Sequence, residues 1–88
     1  MQQMSQSKIN EKELEKKIDA YLHCVGGKLF DLRKARGESL RTVAKATHMC
    51  PGIISSAEKG LYKDLCVARV AVLCKYYGIP LVDVLVCD

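Results

Sequence analysis

The sequence has no tryptophan, a single phenylalanine and only two prolines, and none of its apolar runs approaches the roughly 20 residues needed to cross a bilayer. A membrane-spanning helix is thereby excluded, and little stands in the way of long soluble helices. A Gly-rich phosphate loop, paired histidine ligands, a nucleophile motif and a Cys-x-x-Cys pair are also lacking. The expectation is a protein that is not an enzyme, with no cofactor and no metal. His23 and Cys24 adjoin, but helical neighbours point about 100 degrees apart and cannot act as base and nucleophile. The chain opens without a basic segment followed by an apolar stretch and a cleavage site, so a cytoplasmic protein with no membrane partner is expected.

What is present fits one small folded domain. Eighty-eight residues leave room for a single core, and 49% hydrophobic with 27% charged residues is a globular composition. The polar opening reads as a flexible tail over residues 1–10, followed by one helical domain over 11–88. Cysteines 24, 50, 66, 74 and 87 are odd in number and mostly fall on apolar helix faces. Reduced core thiols are therefore expected in preference to disulfides or zinc ligands. The net charge of +4 is concentrated in one region: Lys28, Arg33, Lys34, Arg36, Arg41, Lys45, Lys59 and Lys63 face only Asp31, Glu38 and Glu58 between Lys28 and Lys63.

Periodicity predicts five helices. Leu14, Ile18, Leu22, Val25, Leu29 and Leu32 recur at steps of three and four, which makes one long helix to Arg36, with a kink or break open at Gly26-Gly27. Gly37 ends it, because glycine takes the left-handed conformation without steric cost. Ser39 caps a second helix over Leu40 to Thr47, with Leu40, Val43, Ala44 and Thr47 inward. After His48-Met49-Cys50, Pro51 opens a third helix to Lys59, with Ile54 and Ala57 inward and Gly60 as its stop. Asp64 is the expected cap of a fourth helix, whose inward residues are Val67, Val70, Ala71, Cys74 and Tyr77, and which ends at Gly78. Pro80 begins a short fifth helix over Leu81 to Val86.

Residues 29 to 60, LFDLRKARGESLRTVAKATHMCPGIISSAEKG, resemble the helix-turn-helix of the Cro and cI phage-repressor family, also called the XRE family, and the likeness runs on to Leu85. It is carried by Leu32-Arg33, Arg36-Gly37, Ser39, Val43-Ala44, Ile54-Ser55 and Glu58-Lys59-Gly60, with the core motif over 39–60. The resemblance implies an all-α, five-helix lambda-repressor-like DNA-binding domain with an extended N-terminal helix, acting as a transcription regulator on double-stranded DNA as a homodimer. It also implies a structural salt bridge between Arg33 and Glu58. By the same likeness, Gly52, Ser55, Ser56 and Lys59 face the bases, while Arg41, Lys45, Pro51, Tyr62 and Lys63 meet the sugar-phosphate backbone.

Three positions depart from the family pattern. His48 stands where the turn usually has glycine, and histidine tolerates the left-handed conformation moderately well. Cys50 replaces a Ser or Thr cap and is a poor acceptor, at a cost of order 1 kcal/mol. Pro51 and Gly52 offer no side-chain hydrogen bond to a base, so direct readout is thin and DNA shape carries more of the selectivity. These departures leave a second reading: a helix-turn-helix-fold regulator, antirepressor or antitoxin-like, that grips a protein partner with the same face. The stripe from Glu11 to Val25 either adds to the core or makes a dimer, and Leu81, Val82 and Val86 are further dimer candidates.

Overall fold

The computed structural model describes residues 10–61 and 66–87, which form five helices and, among the described residues, no strand. These are α1 (Glu11–Ala35), α2 (Leu40–Thr47), α3 (Pro51–Glu58), α4 (Val67–Tyr77) and α5 (Leu81–Leu85). Residues 1–9 of the tail expected over 1–10, the backbone-contact residues Tyr62 and Lys63, and Asp64 lie outside the described residues. Asn10 instead belongs to α1 as its cap, and the cap position of α4 is held by Cys66, without a side-chain hydrogen bond, in place of the expected Asp64.

Asn10 starts α1 as its cap, accepting a hydrogen bond from the Lys12 amide at 2.8 Å. The helix then runs unbroken for 25 residues, about 37 Å at helical rise, straight through Gly26-Gly27. Gly26 is there for space. A Cβ built on it would lie 2.2 Å from the Ala57 carbonyl oxygen and 2.6 Å from that of Glu58, so the carboxy end of α3 packs directly on bare α1 backbone. Gly27 has nothing within 4 Å of the same construction, and the helix merely tolerates it.

Val25 and Leu29 from α1, Val43 and Ala44 from α2, Ile54 and Ala57 from α3, Val70, Leu73, Cys74 and Tyr77 from α4 and Val84 from α5 make one core. Leu32 and Leu40 pack at its edge. In α4, Val70, Cys74 and Tyr77 are buried as expected, while Val67 is 56% exposed and Leu73, not expected inward, is buried. The face is set by where α4 crosses α2 and α5, and its own sequence is apolar on more than one side. α5 ends at Leu85, one residue before the expected Val86, whose backbone is already extended.

The stripe of α1 does not enter the core along its whole length. Every residue from Glu11 to Ile18 is exposed, including Leu14 and Ile18, and burial begins at Leu22. Of the stripe from Glu11 to Val25, Leu22 and Val25 thus join the core, while no described element covers Leu14 and Ile18.

The expectation of reduced core thiols is also corrected. Cys24 on α1 and Cys87 after α5 form a disulfide with Cα atoms 6.3 Å apart. Of the others, Cys74 alone is buried, with its thiol pushed up by desolvation, while Cys50 and Cys66 are exposed. The pairing joins residues 63 apart in sequence, brought together only when the segment after α4 folds back along α1.

Candidate nucleic-acid interface

α2 begins at a working cap and ends on a strained turn. The Ser39 hydroxyl accepts from the Thr42 amide at 3.1 Å, satisfying one of the first-turn donors that a helix leaves unpaired. At the other end His48 takes φ 57° and ψ 40°, the left-handed conformation, and is the one described non-glycine residue with positive φ. This reverses the chain so that the Met49 amide reaches the Ala44 carbonyl at 3.0 Å. Cys50 then stands as the cap of α3 without a side-chain hydrogen bond, and Pro51 occupies the first turn, where a missing amide hydrogen costs nothing.

The angle of α3 is held from below by a buried ion pair. Arg33 donates through Nε to Glu58 Oε2 at 2.8 Å and through Nη2 to Glu58 Oε1 at 3.0 Å, a two-pronged contact with side chains 8% and 3% exposed. Its Nη1 donates to the Glu38 carbonyl at 2.9 Å, so one guanidinium ties α1, the loop before α2 and the end of α3 together. The hydrogen bonds to Glu58 hold the Arg33 proton more firmly than usual, against the opposing effect of burial. The salt bridge implied by the family likeness is therefore present, and it is buried.

A second, exposed set of contacts supports the same loop. Arg36 Nε donates to Glu38 Oε1 at 2.9 Å, and the Tyr76 hydroxyl of α4 donates to Glu38 Oε2 at 2.7 Å. The Arg36 guanidinium also stacks over the Tyr76 ring, 4.8 Å from its centre. Arg36 and Tyr76 together hold the Glu38 carboxyl below the ordinary carboxylate range. Sequence reading missed this cluster, since nothing local connects Glu38 to a residue 38 positions later. Beside the buried pair, the Tyr77 hydroxyl is enclosed with no partner, and its pKa is pushed up to about 12, chiefly by desolvation.

On the outer side of α3, Gly52, Ser55, Ser56 and Lys59 recur at helical spacing and share one face, opposite the buried Ile54 and Ala57. Gly52 and Lys59 are exposed, and the two serines are half-buried. Arg41 and Lys45 lie one turn apart on α2, both exposed, and Pro51 is exposed beside them in sequence at the start of α3. Among the described residues, Arg41, Lys45 and Lys59 engage in no ion pair. The expected base-facing set is thus a continuous helix face, and the described members of the backbone-facing set are solvent-accessible. Among the described residues no group of His, Cys, Asp or Glu is arranged to hold a metal ion.

Such a surface offers unpaired positive charge, two hydroxyls and a stretch almost free of side chains at Pro51-Gly52. Such chemistry suits a polyanion. In comparisons with known proteins, no family model, curated protein or solved structure matched the chain.

Proposed function

We propose that the chain is a DNA-binding transcription regulator with a lambda-repressor-like helix-turn-helix domain of the Cro and cI type, cytoplasmic and acting on duplex DNA as a homodimer. The observation that carries this reading is the combination of Arg41 and Lys45 on α2 and Lys59 at the end of α3, all exposed and without a carboxylate partner among the described residues, on a frame in which the Arg33 guanidinium ties α1 to Glu58 of α3 and to the Glu38 carbonyl before α2. Unpaired cations on a rigid frame can neutralise phosphates without first breaking internal contacts. In this reading α3 enters the major groove, Ser55 and Ser56 make short contacts to base edges, Lys59 reaches phosphate or guanine, and Arg41, Lys45 and the Pro51 backbone run along the sugar-phosphate chain.

Selection of binding sites from random duplexes, followed by anisotropy titration at two salt concentrations, tests it. A palindromic site is expected, with Arg41→Ala and Lys45→Ala each lowering the salt slope by about 1 and weakening all sequences alike. Ser55→Ala and Ser56→Ala should relax base preference and leave the slope unchanged. If no sequence is enriched, the reading is wrong.

A second reading, a protein-gripping regulator that uses the same face, is favoured by the exposed, side-chain-poor opening of α3 at Pro51-Gly52. It predicts a failed duplex selection together with capture of a protein partner that is lost in Gly52→Glu.

A further inference from the structure

The segment after α4 returns along the middle of α1 and is tied there. Val84 enters the core, the Tyr21 hydroxyl donates to the Leu85 carbonyl at 2.6 Å, and Lys28 Nζ donates to the carbonyls of Asp83, at 3.1 Å, and Val86. The Cys24–Cys87 disulfide is the last tie. α5 itself has five residues, too few for a helix to persist without tertiary support. Past Val84 the apolar anchoring fades, since Leu85 is half-buried and Val86 is 52% exposed. The final turn is therefore held by Lys28, Tyr21, the disulfide and the partial packing of Leu85 and Cys87 on the core.

That disulfide is not sealed in the interior. Both half-cystines are only partly buried, and a surface cavity of about 330 Å³ opens on them, lined by Lys17, Ala20, Tyr21, Cys24 and Cys87. Among the described residues, Lys17 is the one charged group in the lining, and no ion pair occupies it. A small thiolate entering this cavity meets a positive charge beside a chain end whose only covalent tie to α1 is this disulfide.

We propose that Cys24–Cys87 is a thiol-exchange site for a low-mass anionic thiol, and that its opening releases the carboxy-terminal turn from α1. The attacking thiolate RS⁻ forms a bond to one cysteine sulfur, the protein S–S bond breaks, and the other cysteine leaves as a thiolate that takes up a proton. A second RS⁻ attacks the mixed disulfide, giving RSSR and the second cysteine thiol. The disulfide gains two electrons and two protons, supplied by two RSH that become RSSR. Lys17 acts by concentrating the anionic thiol at the cavity mouth. The inference stands apart from the DNA reading, because it concerns a different face and needs no nucleic acid.

The full oxidised chain is treated in native buffer with glutathione, which is anionic, and with 2-mercaptoethanol, which is neutral, at equal thiolate concentration. Alkylation and mass spectrometry follow the disulfide, and hydrogen exchange follows the Val86 amide, which bonds to the Val82 carbonyl at 3.0 Å. Both thiols should open the bond without denaturant. Lys17→Glu should slow glutathione by roughly 3- to 10-fold and leave 2-mercaptoethanol unchanged, from reversal of a unit charge at short range in water. Opening should speed exchange at Val86 by about tenfold or more, while the amides of Val43 and Val70 keep their protection. Cys87→Ser should show fast Val86 exchange without any thiol. A bond that resists both thiols until the protein unfolds, an equal effect of Lys17→Glu on both, or loss of protection at Val43 and Val70 along with Val86 would each overturn the proposal.

Discussion

The two halves of α1 carry one continuous apolar stripe and meet opposite fates. From Leu22 to Arg33 the stripe is buried against α3, α4 and α5, whereas from Glu11 to Ile18 the same spacing faces solvent. The amino half has good caps and charges, with Asn10 before it and Glu11 and Glu13 in its first turn, where negative charge suits the helix dipole. Helix formation and helix burial are thus separable. Local sequence is sufficient for the first, and the second depends on how far the other elements reach. Gly60, whose built Cβ would lie 2.9 Å from the His23 backbone, marks the amino-side limit of that reach from α3.

Substitutions in the two halves should separate accordingly. The largest effect is expected at Arg33→Met, which strands the buried Glu58 carboxylate and should cost about 3–5 kcal/mol by denaturant unfolding. The double variant Arg33→Met/Glu58→Leu should recover most of that loss, since no charge is left buried. Gly26→Ala comes next, at about 1–3 kcal/mol, because its methyl meets two backbone carbonyls that cannot turn aside. Its neighbour provides the control: Gly27→Ala should stabilise by up to about 1 kcal/mol, as an open helical position that gains propensity alone. A stabilising Gly26→Ala would mean that α3 does not abut α1 as described.

Tyr77→Phe should change stability by no more than about 1 kcal/mol at neutral pH, since the hydroxyl it removes has no partner. Its signature lies in alkali. With the folded-state pKa pushed up to about 12, the unfolded chain loses this proton first, so stability falls as pH rises from about 10 towards 12. Thermal melts across that window should show a shallower fall in the variant. The smallest effect is expected in the exposed half of α1, where Leu14→Ala and Ile18→Ala should stay within about 0.5 kcal/mol at concentrations where the chain is monomeric. A loss that grows with protein concentration would instead show that a second copy covers this face.

Much of the helical plan could be read from particular residues. Ser39 caps, Gly37 turns at φ 67°, His48 takes the left-handed turn, Pro51 opens α3 and Cys50 fails as a cap, each through chemistry confined to one or two residues. The outward face of α3 was legible for the same reason, because Gly52, Ser55, Ser56 and Lys59 are the complement of an apolar spacing. The Glu38–Tyr76 contact and the Cys24–Cys87 bond were not, since both join residues distant in the chain and no periodicity encodes which distant partner a side chain will meet. In α4 only the places of Leu73, inward, and Val67, outward, escaped, because an apolar helix does not announce the edges of its core face.

By itself the sequence determined the number and order of the helices and the ends set by Gly37, Ser39, Pro51 and Gly78, since caps, stops and turn residues act over a few bonds, and backbone hydrogen bonding within a helix is local. Only the tertiary structure decided how much of α1 is covered, why Gly26 must lack a side chain, that Arg33 and Glu58 meet out of water, and that the chain end is bound to α1 through sulfur. Each of these is a property of two surfaces brought together, and the free energy of such a contact exists only once both surfaces are in place.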